Sequence, residues 1–327
     1  MEANVSAWVK EIMGGRRLQK KEAGWLLTVP LEELQEGAGQ LQEYFCGKHV
    51  DLCTIINGRS GKCSEDCKYC AQAACHSTGI ETYGFLPKEE IIANAKVNEA
   101  AGVNRFSIVT SGRALGGKEF DQAIEAYEEM RQNLSIELCA SHGLLTRAQF
   151  RRLRAAGVMR YHHNIETSQR FFPNICTSHT YEDRIRTIRV AQDEGLQVCS
   201  GGIIGMGETW EDRVDMAFSL AELGILSIPI NALMPIKGTA LEGQPTLSAE
   251  DILRTVAIFR FINPAADIRL AAGRKLLPDR GAGAFLHGAS ACITGNMLTT
   301  SGTTLQEDME MLEKLGFSNA SPSDQAP

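Results

Sequence analysis

The chain has 327 residues, 43% of them hydrophobic, and a formal net charge of −7. This length and composition fit one large α/β barrel or two ordinary domains and argue against a disordered chain. The acidic balance argues against nucleic acid as the main partner, and no uncharged apolar run approaches the ~18 residues of a membrane span. Since the N-terminus shows no signal-peptide core, we expect a cytoplasmic protein, and its ten cysteines suit metal binding or catalysis better than disulfides.

Residues 1–50 are predicted to form amphipathic helices outside the main domain, because apolar residues such as Val9 with Ile12 and Leu34 with Leu41 recur at helical spacing. Eight short, β-branched runs follow, mostly flanked by Gly, Pro, Asn or Ser: 53–57, 105–111, 135–141, 158–166, 197–205, 227–234, 267–272 and 289–294. Capping-box spacings predict where four of the helices between them begin: Thr146 with Gln149, Thr180 with Asp183, Thr209 with Asp212 and Ser248 with Asp251.

The alternation of strands and helices predicts a closed parallel (β/α)8 barrel over residues 51–317 rather than an open sheet. The remaining segment, 318–327, is polar and contains proline, so we expect a flexible tail.

Three cysteines, Cys63, Cys67 and Cys70, fall within eight residues just after the first predicted strand. In a barrel, the loops that follow the strands carry the active site. Thiolates are the usual ligands of iron–sulfur clusters, and three of them on a four-iron cube leave one iron open to a bound molecule. A structural zinc site is the alternative, but it needs four protein ligands, for which Cys75 and His76 are the local candidates.

The spacing C-x3-C-x2-C, with Tyr69 before the last cysteine, resembles the signature of the radical S-adenosylmethionine (SAM) enzymes. The wider stretch NGRSGKCSEDCKYCAQA resembles the biotin synthase family, as do the later motifs RYHHNIETS, QVCSGGIIGMGET, SIPINALMPIKGT and NMLTTSGTT. This resemblance runs from about residue 50 to 317 and implies a complete (β/α)8 barrel. It also implies that Cys63, Cys67 and Cys70 hold a 4Fe-4S cluster to which SAM binds.

The same resemblance implies a reaction. Dethiobiotin would be converted to biotin by 5′-deoxyadenosyl radicals, with sulfur from an auxiliary iron–sulfur cluster. An electron-donor protein and a homodimer are expected as well. Alternatives are a related radical SAM enzyme of the hydrogenase-maturation or methylornithine-forming type, or a zinc-binding barrel protein.

For SAM, the resemblance implies contacts from Tyr69 to the adenine, from Asn164 and Glu166 to the ribose, and from Arg184 to the carboxylate. Arginine suits the last task because its planar fork can bind a carboxylate through two hydrogen bonds. Asn164 would also link SAM to the substrate. At the end of the second strand, many radical SAM enzymes have Gly-Gly-Glu, whereas this chain has Thr-Ser-Gly-Arg at 110–113, so the amine of SAM would depend on backbone carbonyls and the Ser111 hydroxyl.

Three further positions belong to the fifth strand in this comparison. Gly201, Ile203 and Gly205 resemble the motif that flanks the adenine ring, where glycines allow close approach and Ile supplies an apolar face.

Asn231, in the sixth predicted strand, matches a position near the ureido ring of dethiobiotin, which an amide can serve as both donor and acceptor.

The auxiliary cluster of this family is implied to take one cysteine from each of the second, third and fifth strands and an arginine from the seventh. Cys139, Cys199 and Arg269 match three of these positions, but the second-strand position is Ser107. A serine oxygen is a poor replacement for a thiolate on iron. A conventional 2Fe-2S site with three cysteine ligands is therefore not predicted.

Our hypothesis is that Cys292 and Cys176 compensate for the missing thiol and, with Cys139 and Cys199, hold an auxiliary cluster that is either a 2Fe-2S cluster or a four-iron variant. Cys46, Cys53 and Cys75 remain and are interpreted as structural, since a single cysteine in an apolar strand usually packs as a small hydrophobic residue.

Overall fold

In a computed structural model, which describes residues 4–300 and 302–320, the chain folds as the predicted closed parallel barrel. The strands are β1 (Asp51–Arg59), β2 (Arg105–Thr110), β3 (Glu137–Ser141), β4 (Arg160–His162), β5 (Gln197–Cys199), β6 (Gly202–Ile204), β7 (Ser227–Ala232), β8 (Asp267–Leu270) and β9 (Ala291–Ile293). They are ordered β5-β4-β3-β2-β1-β9-β8-β7-β6, and a pairing between β5 and β7 closes the ring. The eight predicted strand positions are thereby confirmed.

The predicted strand 197–205 is interrupted and forms two short strands, β5 and β6. A β-carbon on Gly201, at the break, would lie 1.9 Å from the carbonyl oxygen of Pro229 on β7. The predicted strand 158–166 is shorter, as β4 ends at His162. Beyond it, Glu166 adopts a left-handed backbone, with a φ of 70°, which a non-glycine residue rarely accepts.

The helices are α1 (Val5–Met13), α2 (Leu31–Cys46), α3 (Lys88–Ala100), α4 (Gly117–Asn133), α5 (Arg147–Ala155), α6 (Tyr181–Asp193), α7 (Trp210–Glu222), α8 (Ala249–Ile262), α9 (Ala282–Leu286) and α10 (Leu305–Lys314). Short 3-10 segments cover Lys20–Leu27, Phe172–Asn174 and Arg274–Leu276. All four predicted capping boxes are present, at the starts of α5, α6, α7 and α8. A fifth, Thr304 with Glu307, begins α10. Each N-cap contributes roughly 1 kcal/mol to helix stability.

The predicted N-terminal helices pack on the outside of the barrel, with α1 against α2 and α2 against α8. Gly37 permits this close approach, because a β-carbon there would lie 2.5 Å from Val5 and 2.8 Å from Phe261. None of the helices within residues 4–300 and 302–320 is both long and apolar enough to cross a membrane.

The start of the predicted tail is attached to the barrel. The Ser318 amide donates to the carbonyl of Lys48 at 2.9 Å, and its carbonyl accepts from Val50 at 2.9 Å. The rest of the tail, residues 321–327, lies outside the described residues.

His142, just after β3, gives the fold a predicted pH dependence. Its ring is buried, with Nδ1 3.0 Å from the Thr110 hydroxyl and Nε2 3.0 Å from the Tyr127 hydroxyl. Burial, with the charge of Arg59, lowers the pKa of His142 to about 3. Since the unfolded chain takes up this proton near pH 6.5, the contribution is complete above that pH and is lost as the pH falls toward 3.

We therefore expect His142 to reduce the free energy of unfolding by about 1.4 kcal/mol between pH 8 and pH 5.5. Urea unfolding followed by circular dichroism at both pH values tests this. In a His142→Gln variant, the free energy of unfolding should fall by about 1.4 kcal/mol less over the same pH range. If the variant shows the same pH dependence as the original protein, His142 is not its source.

Candidate active site

One cavity, of about 380 Å³, opens at the carboxyl ends of the barrel strands and extends into the barrel. It brings together most of the predicted site residues: Cys63, Cys67, Tyr69, Cys70, Cys139, Asn164, Glu166, Arg184, Cys199, Ile203, Asn231 and Arg269. Gly201, Gly205, Cys176 and Cys292 are not part of its wall.

The three signature cysteines project from the loop after β1. This loop is closed on itself, as the Cys63 amide donates to the carbonyl of Gln72 at 3.0 Å and the Cys70 amide to that of Cys67 at 3.0 Å. Gly61 enters it with a φ of +72°, and a β-carbon there would lie 2.4 Å from Thr82. The three thiols are free and face one cavity, the donor set that a cluster with one open iron requires.

The loop is also held from the side by the segment after β4. The Asp66 carboxylate accepts from the Thr177 amide at 2.9 Å and the Ser178 amide at 3.0 Å. Buried Glu65 lies 2.5 Å from His179 Nδ1. These contacts orient the loop that carries the thiols, as outer-shell partners do around metal ligands.

Neither local candidate for the fourth ligand of a zinc site is placed to complete it. Cys75 is exposed, and His76 bonds through Nδ1 to the Cys70 carbonyl at 2.8 Å. In the described part of the chain, one group of side chains is close enough to share an ion, namely Cys67, Cys176 and His179. It contains just one of the three signature cysteines.

Cys176 and Cys292 do not lie where the compensation hypothesis needs them. The sulfur of Cys176 is 3.7 Å from that of Cys67, beside the cysteine loop. Cys292 is in register with Leu52 and Leu270, whose side chains point away from the barrel interior, and it contacts Arg274 instead. Side chains alternate between the two faces of a strand, so this register removes Cys292 from the interior.

The predicted SAM residues form one connected polar group. Arg184 donates to the Asn164 carbonyl at 2.8 Å and to the Glu166 carboxylate at 3.3 Å, while its Nε lies 3.0 Å from His179. The Asn164 amide donates to Glu166 at 3.3 Å and accepts from the Gly201 amide at 3.1 Å. Glu166, strained in its left-handed conformation, thus lies between β4 and β6 and faces the cavity.

The glycine-rich strand end has mainly a packing role. Position 201 needs a glycine because the Pro229 carbonyl occupies the space of a β-carbon. Gly205 has a φ of +92°, and a β-carbon there would lie 2.9 Å from Leu247. Ile203 alone of this motif lines the cavity. Asn231 also lines it, and its amide joins neighbouring strands by donating to Gly202 at 3.1 Å and accepting from Ala272 at 3.1 Å.

Deeper in the barrel lies a concentration of buried charge. Asp51 accepts from Arg105 at 2.7 Å, from Arg269 at 3.0 Å and from Arg160 at 3.3 Å. Although burial alone would raise it, these three guanidinium groups hold the pKa of Asp51 well below its usual range. One carboxylate facing three arginines favours further anions nearby.

Cys139 and Cys199 lie next to these arginines. Burial opposes ionisation of Cys199, but His162, Arg269 and Arg160 bring the pKa of its thiol down to about 6. A hydrogen bond from Cys53, followed by the charges of Arg160 and Arg105, lowers the pKa of Cys139. Both residues are therefore suited to act as thiolate ligands.

The sequence analysis missed two residues of this inner layer. His162 bonds to Cys199, and Cys53 bonds to Cys139 and lines the cavity. Cys53 faces inward with Ile55, two residues further along the same strand, but no local sequence signal marks this face.

Comparisons with known proteins agree with this geometry. Residues 59–220 match the model of the radical SAM superfamily, and residues 229–318 match the Biotin and Thiamin Synthesis associated domain. The fold matches the crystal structure of methylornithine synthase, with a TM-score of 0.84 and 18% identity over 97% of this chain and 98% of that one. It also matches an FeFe-hydrogenase maturase from Carboxydothermus hydrogenoformans, with a TM-score of 0.82 and 17% identity over 97% and 80%. The fold and site thus define a radical SAM barrel enzyme.

Closer relatives narrow this class. The chain is 57% identical to the biotin synthase of Clostridium beijerinckii over 310 residues, covering 94% of this chain and 98% of that one. It is 50% identical to the biotin synthase of Akkermansia muciniphila over 312 residues, covering 95% and 97%. The chain belongs to the biotin synthase family. Membership implies a 4Fe-4S cluster, SAM and an auxiliary iron–sulfur cluster as cofactors.

Proposed function

We propose that this protein converts dethiobiotin to biotin by inserting sulfur between two of its carbons. We further propose that it works in the cytoplasm as a homodimer and receives electrons from a donor protein. When bound, the 4Fe-4S cluster and SAM supply a 5′-deoxyadenosyl radical, and the auxiliary cluster supplies sulfur. The observation that carries the proposal is that two separate sets of thiols, one in the loop after β1 and one on the inner strands, face a single cavity.

The residues divide this work by depth. Cys63, Cys67 and Cys70 would hold the first cluster at the rim, while Cys139 and Cys199 with Arg269 would hold the second inside the barrel. Ser227 on β7 pairs with Cys199, and Asn231 lies four residues further along β7 toward the rim. A substrate ring held by Asn231 would therefore sit between the two sets of thiols.

The SAM side of the cavity would use the polar group around Arg184. Its guanidinium is fixed by Asn164 and Glu166, so it would present a charged, planar donor to the carboxylate of SAM. Tyr69 and Ile203 line the same cavity and would bracket the adenine. Apolar side chains of the wall, including Leu233 and Met297, would keep water from a reactive radical.

The test is anaerobic reconstitution with iron and sulfide, followed by incubation with SAM, a reductant and dethiobiotin. We expect biotin, with about two equivalents of 5′-deoxyadenosine for each biotin. Formation of 5′-deoxyadenosine without biotin would retain the radical class and overturn the substrate. Compounds unrelated in structure to dethiobiotin serve as the control and should yield no sulfur-containing product.

A further inference from the structure

Cys53 stands where the ligand set of the inner site lacks a thiol. It lies on β1, in register with Arg105 on one side and Ile293 on the other, and lines the cavity with Cys139, Cys199 and Arg269. Its neighbour Leu52 points outward and is in register with Cys292. Of these two buried strand cysteines, Cys53 alone faces the interior.

Ser107 lies between the strands that carry these thiols. It pairs with Cys139 on β3 and with Ile55 on β1, so Cys53 and Cys139 reach inward from either side of β2. Among the described residues, its buried hydroxyl has no hydrogen-bond partner. A buried polar atom without a partner is unfavourable, and here it faces the cavity that Cys53, Cys139 and Cys199 also line.

From these positions we infer that Cys53 supplies the third thiolate of the auxiliary cluster, in place of the absent thiol at Ser107, so that Cys53, Cys139, Cys199 and Arg269 form the ligand set. The inference rests on the proposed function, because it presupposes an auxiliary cluster. It replaces the hypothesis that Cys176 and Cys292 compensate.

The charges of the inner layer agree with this ligand set. The guanidinium groups of Arg105, Arg160 and Arg269 are paired with the carboxylates of Asp51 and Glu137. Arg269 interacts electrostatically with both Cys53 and Cys199. The hydrogen bond with Cys139, together with burial, raises the pKa of the Cys53 thiol. The three guanidinium groups outnumber the two carboxylates by one, and this excess positive charge offsets part of the cost of burying thiolates here.

The test uses a background in which Cys63, Cys67 and Cys70 are all alanine, so that the auxiliary cluster is the remaining iron site. After anaerobic reconstitution, iron and sulfide per chain are measured and Mössbauer spectra recorded. Adding Cys53→Ser to this background should lower the bound iron by about tenfold or more, since even the loss of a residue supporting a ligand costs 10–100-fold in metal affinity. Cys292→Ser is the matched control, a buried strand cysteine that faces outward, and should retain the iron and spectrum.

A second variant guards against a simple folding defect. Adding Ser107→Cys to Cys53→Ser returns a thiol to the site from the neighbouring strand, and we expect iron to be regained. The inference would be overturned if Cys53→Ser left the iron content and the spectra unchanged. It would also be overturned if Cys53→Ser lost iron and Ser107→Cys did not restore it. If the background itself holds no iron, the auxiliary cluster and the proposed function both fail, which is a different result from failure of Cys53 alone.

Discussion

Replacing Cys67 with alanine is expected to reduce SAM cleavage to below about one hundredth of the normal rate, because ligand loss should exceed the 10–100-fold cost of losing a residue that supports a ligand. Cys67 is buried and lies with Cys63 and Cys70 at the wall of the cavity. With two thiolates left, a four-iron cube lacks the support that keeps one iron free for SAM. The measurement is 5′-deoxyadenosine formed per chain under anaerobic conditions, together with the iron content.

The loop offers a matched control. Cys75 is exposed and follows the signature by five residues, so Cys75→Ala should leave both iron and SAM cleavage within about twofold of normal, as expected for an exposed position away from such features. Cys176→Ala tests whether a thiol that merely lies near the signature cysteines is needed. The sulfur of Cys176 lies 3.7 Å from that of Cys67, but Cys176 is not part of the cavity wall. It should retain the iron. A Cys67→Ala protein that cleaves SAM normally would refute the assignment of the first cluster.

The grouping of the three signature thiols at the cavity could be predicted from the sequence because they lie within eight residues. Their spacing is local, and it needs only a loop after a strand to bring the thiols together. The capping boxes were predictable for the same reason, since each depends on two residues three positions apart. Features of this kind do not depend on how distant strands pair.

The auxiliary site depends on strand register, which sequence alone does not settle. Cys53 and Cys292 each occur in a short apolar run with little alternation, so nothing local indicates which faces inward. A shift of one residue exchanges the two faces of a strand. Pairing places Cys53 inside and Cys292 outside. The sequence analysis chose Cys292 as a candidate ligand and took Cys53 as structural, whereas Cys53 is the one that lines the cavity.

The glycine motif shows a related limit. Gly201 and Gly205 were interpreted as giving close access to a flat ring, which is one reason for glycine near a ligand. The structure gives another, since the Pro229 carbonyl and Leu247 occupy the space that a β-carbon would need. Both neighbours come from parts of the chain more than twenty-five residues away, beyond the reach of a local pattern.

Arg184→Lys should raise the KM for SAM by about tenfold to a hundredfold, because lysine keeps the charge but lacks the fork that binds a carboxylate through two bonds. The native guanidinium is buried and oriented by the Asn164 carbonyl and Glu166. The effect on kcat should be smaller than that on KM if Arg184 mainly binds SAM. Steady-state rates of 5′-deoxyadenosine formation over a range of SAM concentrations separate the two.

A purely structural role for Arg184 makes a different prediction. If its contacts with His179 and Glu166 served only to hold the segment after β4, Arg184→Lys would lower the unfolding midpoint and the iron content with little change in KM. Arg186→Lys is the control, since this arginine lies two residues further along α6, is exposed and pairs with Asp183. It should leave KM unchanged. A SAM titration followed by EPR of the reduced cluster adds a readout independent of turnover, and the Arg184→Lys titration should shift to higher SAM concentration by the same factor as KM.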